Sequence, residues 1–223
     1  MKVWDCVQKT LLLYQSKSTI YHMKRLLLSL LLMLMLSFIK AFALQTPLTF
    51  YRLGIRDGLS NSQINSVFKD SKGYIWFGTA SGLDRFDGFR FSNFFHKAED
   101  KTSLLNDVVN EIQEDAAADL WVSTGSGYCR FIRKQGVFDI QLQAWMQARG
   151  MKGVPYYMKI DKQKNMWLGV RKHGVYYYDI RKKKAFLFSS QDKGRRVIQE
   201  SVVTDIAEDN GCVVLIYDDG TLV

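Results

Sequence analysis

An aspartate recurs at positions 70, 115, 161 and 209, at intervals of 45, 46 and 48 residues. The first three are each followed six residues later by a tryptophan. The copies share a frame. Asp70 leads through Gly73 to Trp76, Gly78 and Gly82; Asp115 leads to Trp121 and Gly127; Asp161 leads to Trp167, Gly169 and Gly174. A fourth, weaker copy starts at Asp209, keeps Gly211 and Gly220, and has Leu215 at the Trp offset. A fixed period of this length marks units that cannot bury their apolar faces alone and must stack on one another.

Each unit divides into four short runs rich in aromatic and β-branched residues, separated by Gly and Asp. The first copy predicts strands over 64–69, 74–79, 83–86 and 89–94, with a turn at Asp87-Gly88. The second predicts 108–114, 120–124, 128–132 and 137–142; the third predicts 156–160, 166–170, 175–179 and 185–188. Leu104, Leu105, Val108, Val109 and Ile112 also fit a helical stripe, but the register of the other copies selects strand. Four antiparallel strands per repeat of about 45 residues describe an all-β fold of β-propeller blades. Residues 48–53 resemble an outermost strand, as in rings whose last blade is completed by the N-terminus. An open β-solenoid is the alternative. Rings close with about 4–8 blades, and three full copies plus a truncated fourth give an incomplete ring. The chain is therefore expected to be part of a longer protein or the product of a truncated gene.

Composition excludes several classes. With 47% hydrophobic residues and only 2 Pro, the chain is neither disordered nor collagen-like. Three Cys are too few for a disulfide scaffold. The net charge of +9 is concentrated at the N-terminus, leaving +4 for residues 44–223, so no polyanion is needed to explain it. Residues 1–43 read as an address. Lys24-Arg25 precede a 14-residue uncharged stretch from Leu26 to Ile39, then Ala41-Phe42-Ala43, with cleavage expected between Ala43 and Leu44. Fourteen residues are short of the roughly 20 a spanning helix needs. Export by a Sec-type signal is the expectation, with an uncleaved inner-membrane anchor as the alternative, and translation is expected to begin at Met23. Residues 44–223 then form the propeller segment outside the cytoplasm.

Asp57-Gly58-Leu59-Ser60-Asn61-Ser62-Gln63, then Asp70, Gly73, Trp76, Gly78-Thr79, Gly82-Leu83 and Phe86-Asp87-Gly88, resemble the two-component regulator propeller repeat. The resemblance covers about residues 47–223 and weakens where Ala118 and Lys164 replace the turn glycine. It implies a periplasmic ligand sensor, often for glycan breakdown products. It also implies a further propeller, a transmembrane helix, a histidine kinase, a receiver and a DNA-binding region, none of them in these residues. Ligand-dependent rearrangement of propellers would be relayed to that kinase. An oligosaccharide ligand and a homodimer are the partners this reading allows; export makes nucleic acid an unsuitable one.

Residue chemistry points the same way. An Asp recurring once per blade at a turn is expected to accept backbone N–H groups rather than to catalyse, and each recurring Trp is expected to pack between blades. Trp145 lies outside the frame and is either packing or a sugar platform. His22, His96 and His173 are isolated, so no metal or other cofactor is expected. A Cys129–Cys212 disulfide is allowed by compartment but not indicated by register. Arg181-Lys182-Lys183-Lys184 reads as a solvated turn, which Arg171-Lys172 and Arg195-Arg196 would extend into a basic patch suited to an acidic oligosaccharide or lipid headgroups. The rival classes are a propeller-fold carbohydrate-active enzyme and a protein-binding scaffold. A glycosidase needs two converging carboxylates; Glu99-Asp100 and Asp218-Asp219 are merely adjacent, and the turn differs from a sialidase Asp-box by one residue between Asp and Trp. No residue is therefore assigned a catalytic role. Terminal blades without neighbours leave apolar faces uncovered, so isolated 44–223 should melt broadly at low temperature; a cooperative, high-temperature calorimetric transition would contradict this.

Overall fold

The computed structural model describes residues 21–35, 50–189, 202–209 and 212–222. Residues 21–35 form helix α1, within a unit that ends at Arg52. Among the described residues no helix is long and apolar enough to cross a membrane. The Ala43–Leu44 cleavage position, Arg195, Arg196 and Gly211 lie outside the described residues.

The second unit is built from antiparallel sheets in sequence order. The first contains β1 (Ile64–Lys69), β2 (Ile75–Thr79), β3 (Gly82–Phe86) and β4 (Phe91–Phe94). The second contains β5 (Val109–Glu114), β6 (Leu120–Thr124), β7 (Gly127–Ile132) and β8 (Val137–Asp139). The third contains β9 (Pro155–Ile160), β10 (Met166–Val170), β11 (Gly174–Asp179) and β12 (Lys184–Phe188). The fourth pairs β13 (Val203–Asp209) with β14 (Cys212–Tyr217), and Leu222 bridges to Ile216. The first strands of successive sheets lie side by side, β1 by β5, β5 by β9 and β9 by β13. These are propeller blades in an incomplete ring, as the repeat period requires.

Each first strand carries a register shift near its start, next to Asn65, Asn110, Tyr156 and Thr204. A bulge re-aims a side chain. Here Asn65 Nδ2 donates to the Val109 carbonyl at 2.9 Å, and Val203 N donates to the Tyr156 hydroxyl at 2.8 Å, each across to the next blade. Gly78 lies at the same seam, where an added Cβ would strike Ser66 Oγ and Val109 Cγ1. The glycine lets the second blade approach.

The core is a row of seams. Trp76 packs with Val109, Leu120, Phe131 and Phe138 of the second blade. Trp121 packs with Met158, Met166, Leu168 and Tyr178 of the third, and Trp167 with Val203, Ile206 and Tyr217 of the fourth. Full burial of a large side chain contributes roughly 1.5–3 kcal/mol, so each seam rests chiefly on one indole and its apolar cup.

Three expectations are corrected. The strand over 137–142 ends at Asp139, and Leu142–Gln147 form helix α2 instead. The segment lacks β-branched residues, and helical spacing buries Leu142 and Met146 together against the third blade. Residues 50–53 belong to no strand, because an outer strand exists only through bonds to a neighbouring strand and no described strand pairs with them. Leu215 does not stand at the Trp place. Asp209 is the last residue of β13 and pairs with Cys212, so this turn is one residue shorter than its counterparts. Leu215 consequently faces Ile206, in the row of Phe77, Val122 and Leu168.

The Asp70 side chain is fully buried and paired with Arg133 at 2.7 Å. Burial alone would raise its carboxyl, but the Trp76 indole N–H, the Arg133 guanidinium and the Tyr74 N–H outweigh that and hold it below the usual value of 3.8. A depressed carboxyl contributes stability above its unfolded value that is lost as pH falls through the folded one. Asp70→Asn should therefore destabilise the fold by about 2–4 kcal/mol at neutral pH. Urea titrations should show the gap from the parent closing below about pH 4.

Candidate functional site

The recurring aspartates build turns and hold indoles. Asp70 Oδ1 accepts from Lys72 N and Tyr74 N at 2.9 Å each, while Oδ2 accepts from Trp76 Nε1 at 2.7 Å. Asp115 repeats this with Ala117 N, Asp119 N and Trp121 Nε1 at 3.0 Å. Asp161 repeats it with Asn165 N and Trp167 Nε1 at 3.3 Å. The six-residue spacing is the reach of one carboxylate across its own turn. With their oxygens engaged in this way, these groups are unsuited to proton transfer.

At the first seam the turn is also clamped from the next blade. Arg133 Nη2 reaches Glu114 at 3.2 Å, and Arg133 Nε donates to the Ala118 carbonyl at 2.7 Å. Glu114 accepts in turn from Ser71 N and Ser71 Oγ. The adjacent pair Glu114-Asp115 is thus split between two seams.

The bulges leave a polar wall along the first strands. Tyr157 OH donates to Asp205 at 2.9 Å, and Lys159 Nζ reaches the same oxygen at 2.6 Å. Gln113 ties the second blade to the third, donating to the Met158 carbonyl and accepting from Ile160 N. Glu111 lies beside them; the residue is exposed, yet the protein around its carboxyl displaces enough water to raise it above its usual value. Lys159 opposes that shift and Asp205 adds to it. Burial, then the Asp205 carboxylate, pushes the Tyr157 phenol up as well. A cavity of about 170 Å³ opens where the third blade meets the fourth, lined by Lys159, Lys162, Trp167 and Ile206. The wall offers a donor, an acceptor and a charge of each sign to a polar ligand.

Other candidates fall into packing. Trp145 on α2 meets Trp121 and Tyr178 edge-on, and the Arg149 guanidinium covers its face at 3.9 Å, the place a sugar would need. His96 Nδ1 contacts the Leu104 carbonyl and His173 Nδ1 the Arg171 carbonyl. No group of metal-ligating side chains occurs among the described residues. Cys129 is a free thiol, pushed up to about 12 by burial, and is bridged to no other cysteine.

Residues 58–81 match the family model of the two component regulator propeller. Over that stretch the chain is similar to a two-component regulator propeller repeat. A 48-residue stretch is 42% identical to Histidine kinase P4 of Formosa agariphila, covering 22% of this chain and 4% of that protein. The fold is similar to the extracellular domain of the hybrid two component system BT3049 of B. thetaiotaomicron, with 23% identity and a TM-score of 0.60. It is also similar to the extracellular domain of BT4673 of B. thetaiotaomicron, described as a one component system, with 23% identity and a TM-score of 0.52. The likenesses cover 79% and 76% of this chain and 25% of each of those, so the chain spans about a quarter of their length.

In this propeller repeat the segment before β1 is a strap. Leu59 is buried, and Ser60 donates through N and Oγ to the buried Asp84, at 2.8 and 2.7 Å. Asn93 Nδ2 binds the other Asp84 oxygen, and Thr79 Oγ1 meets Ser60 Oγ at 3.0 Å. Sequence reasoning missed this network. Its signal was Asp84 in a row where the other repeats carry Cys129 and Tyr176, because a buried carboxylate demands partners.

The raised Glu111 carboxyl makes its own prediction. A group whose folded value lies above its unfolded one opposes folding as pH rises past the unfolded value. Glu111→Gln should raise the melting temperature at pH 7 and leave it unchanged below about pH 4; equal melting curves at pH 7 would show the wall to be fully hydrated there.

Proposed function

We propose that residues 44–223 are the sensing part of an exported hybrid two-component regulator that responds to glycan-derived ligands and relays occupancy to a kinase outside this chain. Residues 1–43 serve as its export signal or inner-membrane anchor, which places the blades in the periplasm. The observation that carries this reading is the Asp-turn and Trp blade, matched to the two component regulator propeller and repeated through three seams. The fold shared with an extracellular domain of a hybrid system supports it.

The structure gives the reading a physical route. Ligand groups meeting the polar wall touch several blades at once, because Glu111, Lys159 and Asp205 come from the second, third and fourth. Binding across seams changes how firmly neighbouring blades hold together, and a downstream segment can read that change. The carboxylates of the repeats are engaged in turns and clamps, which favours binding over turnover.

The test is calorimetric titration of the 223-residue chain with a panel of neutral and acidic oligosaccharides, followed by chromatography of the recovered sugar. Saturable binding with intact sugar is expected. Cleavage of a glycosidic bond would move the chain into the enzyme class, and no binding across the panel would overturn the sensor reading.

A further inference from the structure

The blades differ sharply in charge. Residues 142–189, which hold the third blade, carry eleven Lys and Arg against two Asp, an excess equal to the net charge of the whole chain. Residues 96–141, which hold the second, carry five Lys and Arg against eight Asp and Glu. We infer that the end of the third blade formed by the β9–β10 and β11–β12 turns is a binding surface for an acidic oligosaccharide. The inference rests on the sensor reading above and names the chemical class of its ligand.

Both turns lie at one end of the blade, because strands alternate in direction. They join strands one to two and three to four, so their tips stand roughly 10 Å apart at ordinary strand spacing. Lys162 occupies the first tip, and Arg181, Lys182, Lys183 and Lys184 the second; all five are exposed. The two carboxylates of these turns do not neutralise them. Asp161 is committed to Asn165 and Trp167. Asp179 accepts from Arg181 N and Lys182 N and pairs with Lys182 at 3.3 Å, which leaves Lys162, Arg181, Lys183 and Lys184 without a carboxylate among the described residues.

Backbone conformation adds an independent observation. Among the described residues four non-glycine residues have positive φ, and three are lysines of this blade: Lys164 and Lys183 in the two turns at this end, Lys172 in the turn at the other. Lys183 at φ 52° ends its turn where the second blade has Gly136 at φ 71°. A side chain there is strained and glycine is not. Lys183 thus brings a charge to a place where the turn alone favours glycine.

The partner class follows from what the tips lack. Residues 162–164 and 181–184 include no apolar side chain to insert into a bilayer or to form the dry centre of a protein interface. Two cationic tips separated along a line suit a soluble chain that repeats its negative charges, and Lys162 leads from the first tip into the cavity floored by Trp167 and Ile206.

The test uses the 223-residue chain and three probes: hexagalacturonate, the neutral maltohexaose, and phosphatidylglycerol vesicles. Hexagalacturonate should bind, weaken with added salt, and lose about tenfold in affinity in the variant Lys162→Gln, Arg181→Gln, Lys183→Gln, Lys184→Gln. Lys183→Gly separates charge from fold: it should raise the melting temperature yet weaken hexagalacturonate binding. Unchanged affinity in both variants overturns the inference. Binding of maltohexaose alone overturns it while leaving the sensor reading intact, and vesicle binding without saccharide binding replaces it with a membrane surface. No binding of any probe overturns it too, leaving the sensor reading to the broader panel.

Discussion

One carboxylate per blade, bonded to an indole six residues later, is the interaction on which the architecture depends. A tryptophan between two sheets supplies apolar area, but its N–H would be stranded in the seam. The aspartate removes that cost and, with its second oxygen, closes the turn that begins the next strand. A single side chain thereby fixes both the hairpin and the rotamer of the residue that joins neighbouring blades. The shorter fourth turn illustrates the dependence. There Asp209 pairs with Cys212 in the ladder, and the row that elsewhere holds Trp is shifted.

Recurrence made the fold legible. Period, turn glycines and strand runs place most strand ends within one or two residues, because each copy checks the register of the others. The exceptions are places where one copy departs from the frame. Nothing in the repeat announces that residues 142–147 leave the sheet, since Leu142 and Met146 suit either a strand or a helix until their burial partners are known. The shift at Leu215 was hidden because an offset counted along the chain ignores the length of a turn.

The candidate site was far less legible. Asp70 and Trp76 were readable as separate structural residues, yet their hydrogen bond depends on χ angles that spacing alone does not reveal. Glu114 and Arg133 read as ordinary surface charges in the sequence and meet only because two blades are stacked. Glu111, the β9 residues Tyr157 and Lys159, and Asp205 are far apart in sequence and come together only when three blades stack, which no composition reports. The charge imbalance among blades, by contrast, is visible in the sequence once blade boundaries are known.

The seams described above are chemically unequal. The first is bolted by the half-buried Arg133 on the buried Asp70 and Glu114. The second is closed by apolar packing, with Ile180 following β11 where Arg133 follows β7, by the neutral Gln113 bonds to Met158 and Ile160, and by Lys164 reaching the Glu114 carbonyl. At the third, the polar tie from Tyr157 and Lys159 to Asp205 is half open to water and is correspondingly weakened by dissolved ions. A row of similar modules thus has joints of unequal chemistry, a largely buried ion pair at one end and a partly hydrated one at the other. Dissolved ions therefore act first on the joint between the third and fourth modules, giving a repetitive molecule a built-in direction.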